Sequence, residues 1–356
     1  PYFVLAVRRV CLLKDALRIT SDASDNDLRK PLKVVFLGEE GIDEGGVTKE
    51  FFQLLVGQFF SPAYGLFEPA PSGRASWPLR GTYCNHWCEH EYRLVGTLLG
   101  LAVYNDVLLD AHFPPLFYQK LLPPYTPQLS HLLHLDPELY KGLKQLLEFD
   151  PDHVEAVYCR TFTDEWEEFG TKCERELVPG GSTINVTGAN RLAYVAKLVA
   201  WRCEGAVAEQ FRALYGGFSR VVHRSALELL TASELELVMV GTPHLDFQQL
   251  EQHCECVGWE GDGGHPTIRA FWAVLHSLPF EEKQKFLQFV TGSTKAPIGG
   301  LRNIGLKIQR MGPHSASLPT AHTCFNTLLL PAYEGEQVLR ERLVRAIREC
   351  EGFGLK

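Results

Sequence analysis

The stretch Leu318-Pro319-Thr320-Ala321-His322-Thr323-Cys324-Phe325-Asn326, running into Leu328-Leu329-Leu330-Pro331, sets a cysteine between a polar, proline-marked loop and an apolar run of strand length. A loop can expose a reactive group, and a packed strand behind it can hold that group still. His322 stands two residues before Cys324, so in extended backbone both side chains would face one way, and the imidazole could lower the thiol pKa from about 8.5. Spacing alone favours a duller role, because a free cysteine beside an apolar run is more often core than nucleophile. Cys324 is therefore a candidate nucleophile whose case needs the rest of the chain.

Working outward, Phe286-Leu287-Gln288-Phe289-Val290-Thr291-Gly292-Ser293 with Pro297-Ile298-Gly299-Gly300 precedes the cysteine stretch, and Gly45-Gly46-Val47-Thr48-Lys49-Glu50-Phe51-Phe52 lies near the start. In that order, and spread over nearly the whole chain, these three segments closely resemble the signatures of HECT-type ubiquitin ligases. Their wording resembles most the branch containing the Angelman-syndrome ubiquitin ligase.

Composition is compatible with such an enzyme and excludes several others. At 356 residues the chain exceeds most single cores, so two or more packed units are expected, and 45% hydrophobic with 22% charged residues is ordinary for a soluble globular protein. A net charge of -8 argues against a nucleic-acid surface. Ten cysteines are too sparse and irregular for a disulfide framework and point to a reduced, intracellular setting, cytoplasmic or also nuclear. Pro1 to Leu13 is broken by Arg8 and Arg9 and does not read as a signal peptide. No run approaches the roughly 20 apolar residues of a membrane span, so no membrane insertion is expected. The abrupt start suggests a catalytic module cut from a longer protein.

Along the chain, Val7 to Leu17 has helical spacing, Leu32 to Leu37 reads as a strand, and Gly38 to Gly46 is an acidic glycine-rich turn that would repel phosphate. Glu50 to Phe60 is helical, and Phe67 to Gly81 reads as loop. Cys84, His86, Cys88 and His90 crowd together, but the spacing is not that of a zinc site and no second ligand pair follows, so no metal and no cofactor are expected. Leu132 to Phe149 continues as helix with Leu139, Leu143 and Leu146 on one stripe, and Thr231-Ala232-Ser233-Glu234 spells a capping box. Glu255 to His265, rich in glycine, reads as a domain boundary. Phe325 to Leu330 would be a strand and Gln337 to Glu349 the final helix.

The resemblance adds an α+β, bilobal architecture: a larger, mostly helical N-terminal lobe over 1–254, a hinge at 255–258, and a smaller α/β catalytic lobe over 259–356. It implies a subdomain at about 135–205 whose groove, lined by Leu139, Leu143, Leu146, Phe149, Tyr158 and Tyr194, receives a ubiquitin-conjugating enzyme. Arg160 departs from the aliphatic residue expected there. Cys324 would take ubiquitin as a thioester and pass it to a lysine of a protein substrate. His322, Thr323 and Asn326 would orient the nucleophile or the ubiquitin tail, and Phe353, four from the end, would support transfer. Two rivals remain at this level: a cysteine hydrolase pairing Cys324 with a distant histidine, and a silent scaffold that only binds conjugating enzymes.

Overall fold

Buried apolar side chains collect into two separate cores, one drawn from Phe3 to Val240 and the other from Phe247 to Ile347. The computed structural model describes residues 2–39, 46–61, 63–70, 75–79, 86–122, 124–168, 171–260, 264–312 and 317–349, and of these the side chains of 86–88, 168, 171 and 324 lie outside the description. The fold is the expected α+β pair, a mostly helical N-terminal lobe and a smaller α/β C-terminal lobe.

The first core is built around two helices, His86–Tyr104 and Ala208–Val221, pressed together along a glycine seam. A Cβ on Gly96 would come within 1.8 Å of the Leu214 carbonyl oxygen, and one on Gly217 within 1.9 Å of that of Arg93. Backbone therefore meets backbone, and only glycine permits it. Leu98, Leu101, Phe218 and Val221 fill the flanks.

At the N-terminus the helical reading of Val7 to Leu17 is corrected. Phe3–Val7 is a strand paired in parallel with Leu32–Phe36, and the helix runs later, Leu12–Asp22. Its alternating burial shows a two-residue period that the overlapping helical spacing concealed. The loop read from Phe67 to Gly81 contains a short antiparallel pair, Phe67–Pro69 with Ser76–Pro78. The helix expected from Leu132 to Phe149 breaks at Asp136, whose carboxylate accepts from the Leu139 amide and caps a new helix, Pro137–Glu148. Thr231 caps Ala232–Val240 through the reciprocal box that its sequence spells.

In the second lobe a four-stranded sheet runs Glu255–Val257, Lys307–Arg310, Thr327–Leu330, Thr320–His322. The first three are parallel and the last antiparallel. Helices Pro266–Ser277, Phe280–Thr291 and Glu336–Glu349 supply the rest of the core, with Phe271, Phe286, Leu339 and Leu343 fully buried.

This arrangement corrects the hinge. Glu255–Val257 is locked as an edge strand, and the Glu255 amide donates to the Leu306 carbonyl. Phe247 and Leu250, upstream of it, already belong to the second core. The chain between the two cores is 241–246. It leaves the Ala232–Val240 helix at Gly241, φ +74°, and there pairs once with the second lobe, Thr242 and Ala296 exchanging amide hydrogen bonds of 2.8 and 3.0 Å. Gly258, at φ +75°, follows the end of that strand inside the second lobe, and composition alone cannot tell such a turn from a linker.

Candidate active site

Cys324 occupies the tip of a tight hairpin. His322 ends one strand opposite Thr327, and Thr323–Phe325 forms a single 3-10 turn between the strands. Such a turn needs a residue in left-handed backbone to re-enter the strand; Asn326 supplies it at φ 47°, ψ 44°, tolerated because its short amide can bond locally. The expected strand therefore starts at Thr327, with Phe325 in the turn and half exposed. Extended backbone stops at His322, which is exposed at the strand end.

Asn326 is the keystone of the loop. Its Nδ2 donates to the Ile304 carbonyl at 2.7 Å, its Oδ1 accepts from Lys49 Nζ at 3.1 Å, and its own carbonyl accepts from the Lys307 amide at 3.0 Å. Lys49 also donates to the Thr323 carbonyl at 3.2 Å, so one ammonium holds the backbone before the cysteine and the Asn326 side chain after it. Lys49 sits on the helix Gly46–Phe59 of the first lobe, while the hairpin belongs to the second.

The three sequence segments meet here. The helix Phe280–Thr291 buries Phe286, Leu287 and Val290, ends at Gly292 with φ +81°, and gives the Gly292 carbonyl to Gln53 Nε2 at 2.6 Å. Gly299 and Gly300, both at φ +87°, turn the chain into the short 3-10 segment before Ile304, the residue that holds Asn326. A cavity of about 240 Å³ lies between the lobes, lined among others by Lys49, Leu108, Ser293, Lys295, Asn303 and Asn326. Burial pushes the Lys295 ammonium below its usual pKa, and Asp110 and Glu236 partly offset this. The larger hollow of about 640 Å³ among Leu13, Tyr64, Glu91 and Leu94 takes no residue from the hairpin.

The groove residues divide. Leu143, Leu146 and Tyr194 are 5%, 2% and 1% exposed and form part of the first core, which corrects their assignment as surface anchors. A stripe at helical spacing marks the face that turns inward, and that face is the core. Leu139, Phe149 and Tyr158 are half-buried, and the Phe149 and Tyr158 rings meet edge to face with centroids 5.4 Å apart. Among the described residues this region presents the large apolar side chains of Val157, Ile184 and Leu192 to solvent, and no periodic pattern singles them out. In the sequence only its place within the Gly45–Phe52 segment marks Lys49.

Phe353 and Cys84 lie outside the described residues, as does most of the acidic turn after Gly38. Among the described residues no cluster of histidine, cysteine and carboxylate is arranged to hold a metal ion, and no helix is long and apolar enough to cross a membrane.

A hairpin tip carrying a cysteine, fixed by backbone-directed bonds from two lobes, suits covalent capture of a large acyl group, and the chain belongs to the HECT-domain (ubiquitin-transferase) family, which it matches over residues 53–356. It is 40% identical to the human "Probable E3 ubiquitin-protein ligase HERC3" across all of its own length and 33% of that protein. Similar likeness holds for mouse "Probable E3 ubiquitin-protein ligase HECTD2", at 39% over 99% of the chain and 46% of the relative, and for human "E3 ubiquitin-protein ligase HECW2", at 38% over 99% and 23%. The chain spans between about a quarter and a half of the length of these relatives.

Proposed function

We propose that the chain moves ubiquitin in two successive acyl transfers through Cys324. A conjugating enzyme charged with ubiquitin docks on the first lobe, the Cys324 thiolate attacks its thioester, and the acyl group changes sulfur at little energetic cost. A substrate lysine then attacks the new thioester and leaves a stable amide. Because the incoming acyl group is already activated, a buried triad is unnecessary, and the bonds that Asn326 makes within its own lobe, to the Ile304 carbonyl and from the Lys307 amide, position the loop for the first step. The observation that carries this reading is the holding of the Cys324 turn from both lobes, by Lys49 on the Thr323 carbonyl and the Asn326 amide oxygen and by Asn326 itself on the Ile304 carbonyl.

The partners are a ubiquitin-conjugating enzyme, ubiquitin and a protein substrate, in a reducing compartment such as cytoplasm or nucleus. Half-buried Leu139, Phe149 and Tyr158 with exposed Val157, Ile184 and Leu192 provide the apolar anchors on which a conjugating enzyme would dock. Thr323 and Asn326 shape the turn, His322 flanks it, and Phe353 supports transfer from the tail. One cysteine must visit a docked enzyme and then a substrate, and segment 241–246 is the pivot we assign to that swing. The motif wording favours the branch of the Angelman-syndrome ligase; the relatives named above carry other names, so the reading is held at the level of the family.

Incubation with a charged conjugating enzyme, followed by a non-reducing gel, separates the possibilities. A transferase acquires a thiol-sensitive ubiquitin adduct. Release of ubiquitin from finished conjugates would instead indicate a cysteine hydrolase, and binding of the conjugating enzyme without charging would indicate a silent scaffold.

A further inference from the structure

The Lys49 ammonium stands 3.2 Å from the Thr323 carbonyl oxygen, and that carbonyl is bonded directly to the Cys324 nitrogen. Bond lengths alone then keep the charge within about 7 Å of the Cys324 Cα. Lys49 belongs to the other lobe, so its charge is beside the cysteine only while the lobes are docked as they are in this structure. Resting on the thioester reading of Cys324, we propose that Lys49 is a positioning residue for the second transfer: it seats the cysteine turn against the first lobe and favours departure of the thiolate there.

The step is as follows. A substrate amine adds to the thioester carbonyl, the C–N bond forms, the C–S bond breaks, and its electron pair leaves on Sγ as thiolate; the surplus amine proton passes to solvent. Negative charge thus appears late in this step on the sulfur of the residue that follows the carbonyl bonded by Lys49. During charging the polarity of the requirement differs. The hairpin must then reach a docked conjugating enzyme, and a swing about 241–246 leaves Lys49 behind on its helix. Lys49 therefore separates the two steps, helping discharge and not charging.

Other charged groups on the elements around the turn do not substitute for it. Glu50, next to Lys49, is paired with Arg9 at 2.7 Å; Lys307 is paired with Glu255 at 3.0 Å. The neighbouring helix Phe280–Thr291 carries Glu281, Glu282, Lys283 and Lys285, of which Glu282 is bonded to Arg348 and Lys283 lies over the Phe247 ring. His322 is on the hairpin itself. None of these is altered by substituting Lys49, so a difference between variants reports on Lys49.

The test uses the full chain as wild type, Lys49→Arg and Lys49→Gln, with melting temperatures as a check on folding. Charging is timed from a ubiquitin-loaded conjugating enzyme; discharge is timed separately by chasing the isolated adduct with free lysine. Alkylation of Cys324 by iodoacetamide, followed peptide by peptide across a pH series, reads thiolate formation in the uncharged chain. In Lys49→Gln discharge should slow about tenfold and the alkylation midpoint should rise by about one pH unit, as expected for loss of a partly screened charge at this range. Lys49→Arg should restore both, and charging should stay within about twofold of wild type throughout. Lys49→Gln discharging and alkylating like wild type would overturn the proposal, as would charging and discharge slowing equally. A wild type that never becomes charged defeats the thioester reading itself, whereas a charged wild type with an indistinguishable Lys49→Gln defeats only the role given to Lys49.

Discussion

The subdomain around Pro137–Glu148 and the hairpin around Cys324 are both surfaces to which the sequence assigned a protein partner, yet the structure treats their residues in opposite ways. In the subdomain, half of the named anchors are sealed in the core. At the hairpin, exposed His322 and Phe325 flank a turn tied down at the Thr323 carbonyl and through Asn326. A repeating apolar stripe reports which face of an element turns inward, so it locates core more readily than a docking site. A turn residue forced into left-handed backbone and bonded on every side reports a loop whose exact shape matters.

The sharpest way to break this contrast is to truncate side chains on either side of it. Leu146→Ala, and Leu143→Ala with it, should lower unfolding free energy by about 2–5 kcal/mol in denaturant titration, as core cavities do. If either variant unfolds like wild type and loses only affinity for the conjugating enzyme, the stripe is a groove after all. Asn326→Ala should cost less stability, about 1–3 kcal/mol from the lost bonds and the strained backbone, but should reduce ubiquitin transfer at least tenfold. Transfer that falls only in proportion to the folded fraction would mean that the turn's shape is not needed. Val157→Asp and Leu192→Asp, on exposed positions, should leave the melting temperature within a degree or two and weaken conjugating-enzyme binding by about tenfold, measured by titration. Unchanged affinity would move the docking site elsewhere. Thr242→Pro, which rigidifies 241–246 and removes the Thr242 amide's bond to the Ala296 carbonyl, should alter transfer while both cores keep their denaturation profiles, whereas Glu255→Pro should instead damage the second core by removing the ladder bond from its amide to the Leu306 carbonyl.

How much was legible in the sequence follows the same line. The two lobes, the capped helix after Thr231 and the cysteine stretch could all be read, because each rests on local chemistry or on distinctive wording. The strand Phe3–Val7 was hidden: its outer face carries apolar Val4, 48% exposed, which blurs the polar alternation a half-buried strand normally shows. The division between the two cores is hard to read from the sequence because Phe247 and Leu250 join the second core through contacts remote in sequence. Lys49 could not be assigned a role in isolation, since its meaning lies in two oxygens 274 and 277 residues away.

The account stands on Cys324 carrying ubiquitin, and Cys324→Ser examines this most directly. Presented with a ubiquitin-charged conjugating enzyme, wild type should form an adduct that reducing agent cleaves, and the serine variant an oxyester adduct at the same residue that resists reductant and yields to alkali. An adduct that remains reductant-sensitive in Cys324→Ser would put the acceptor on another cysteine and contradict the account.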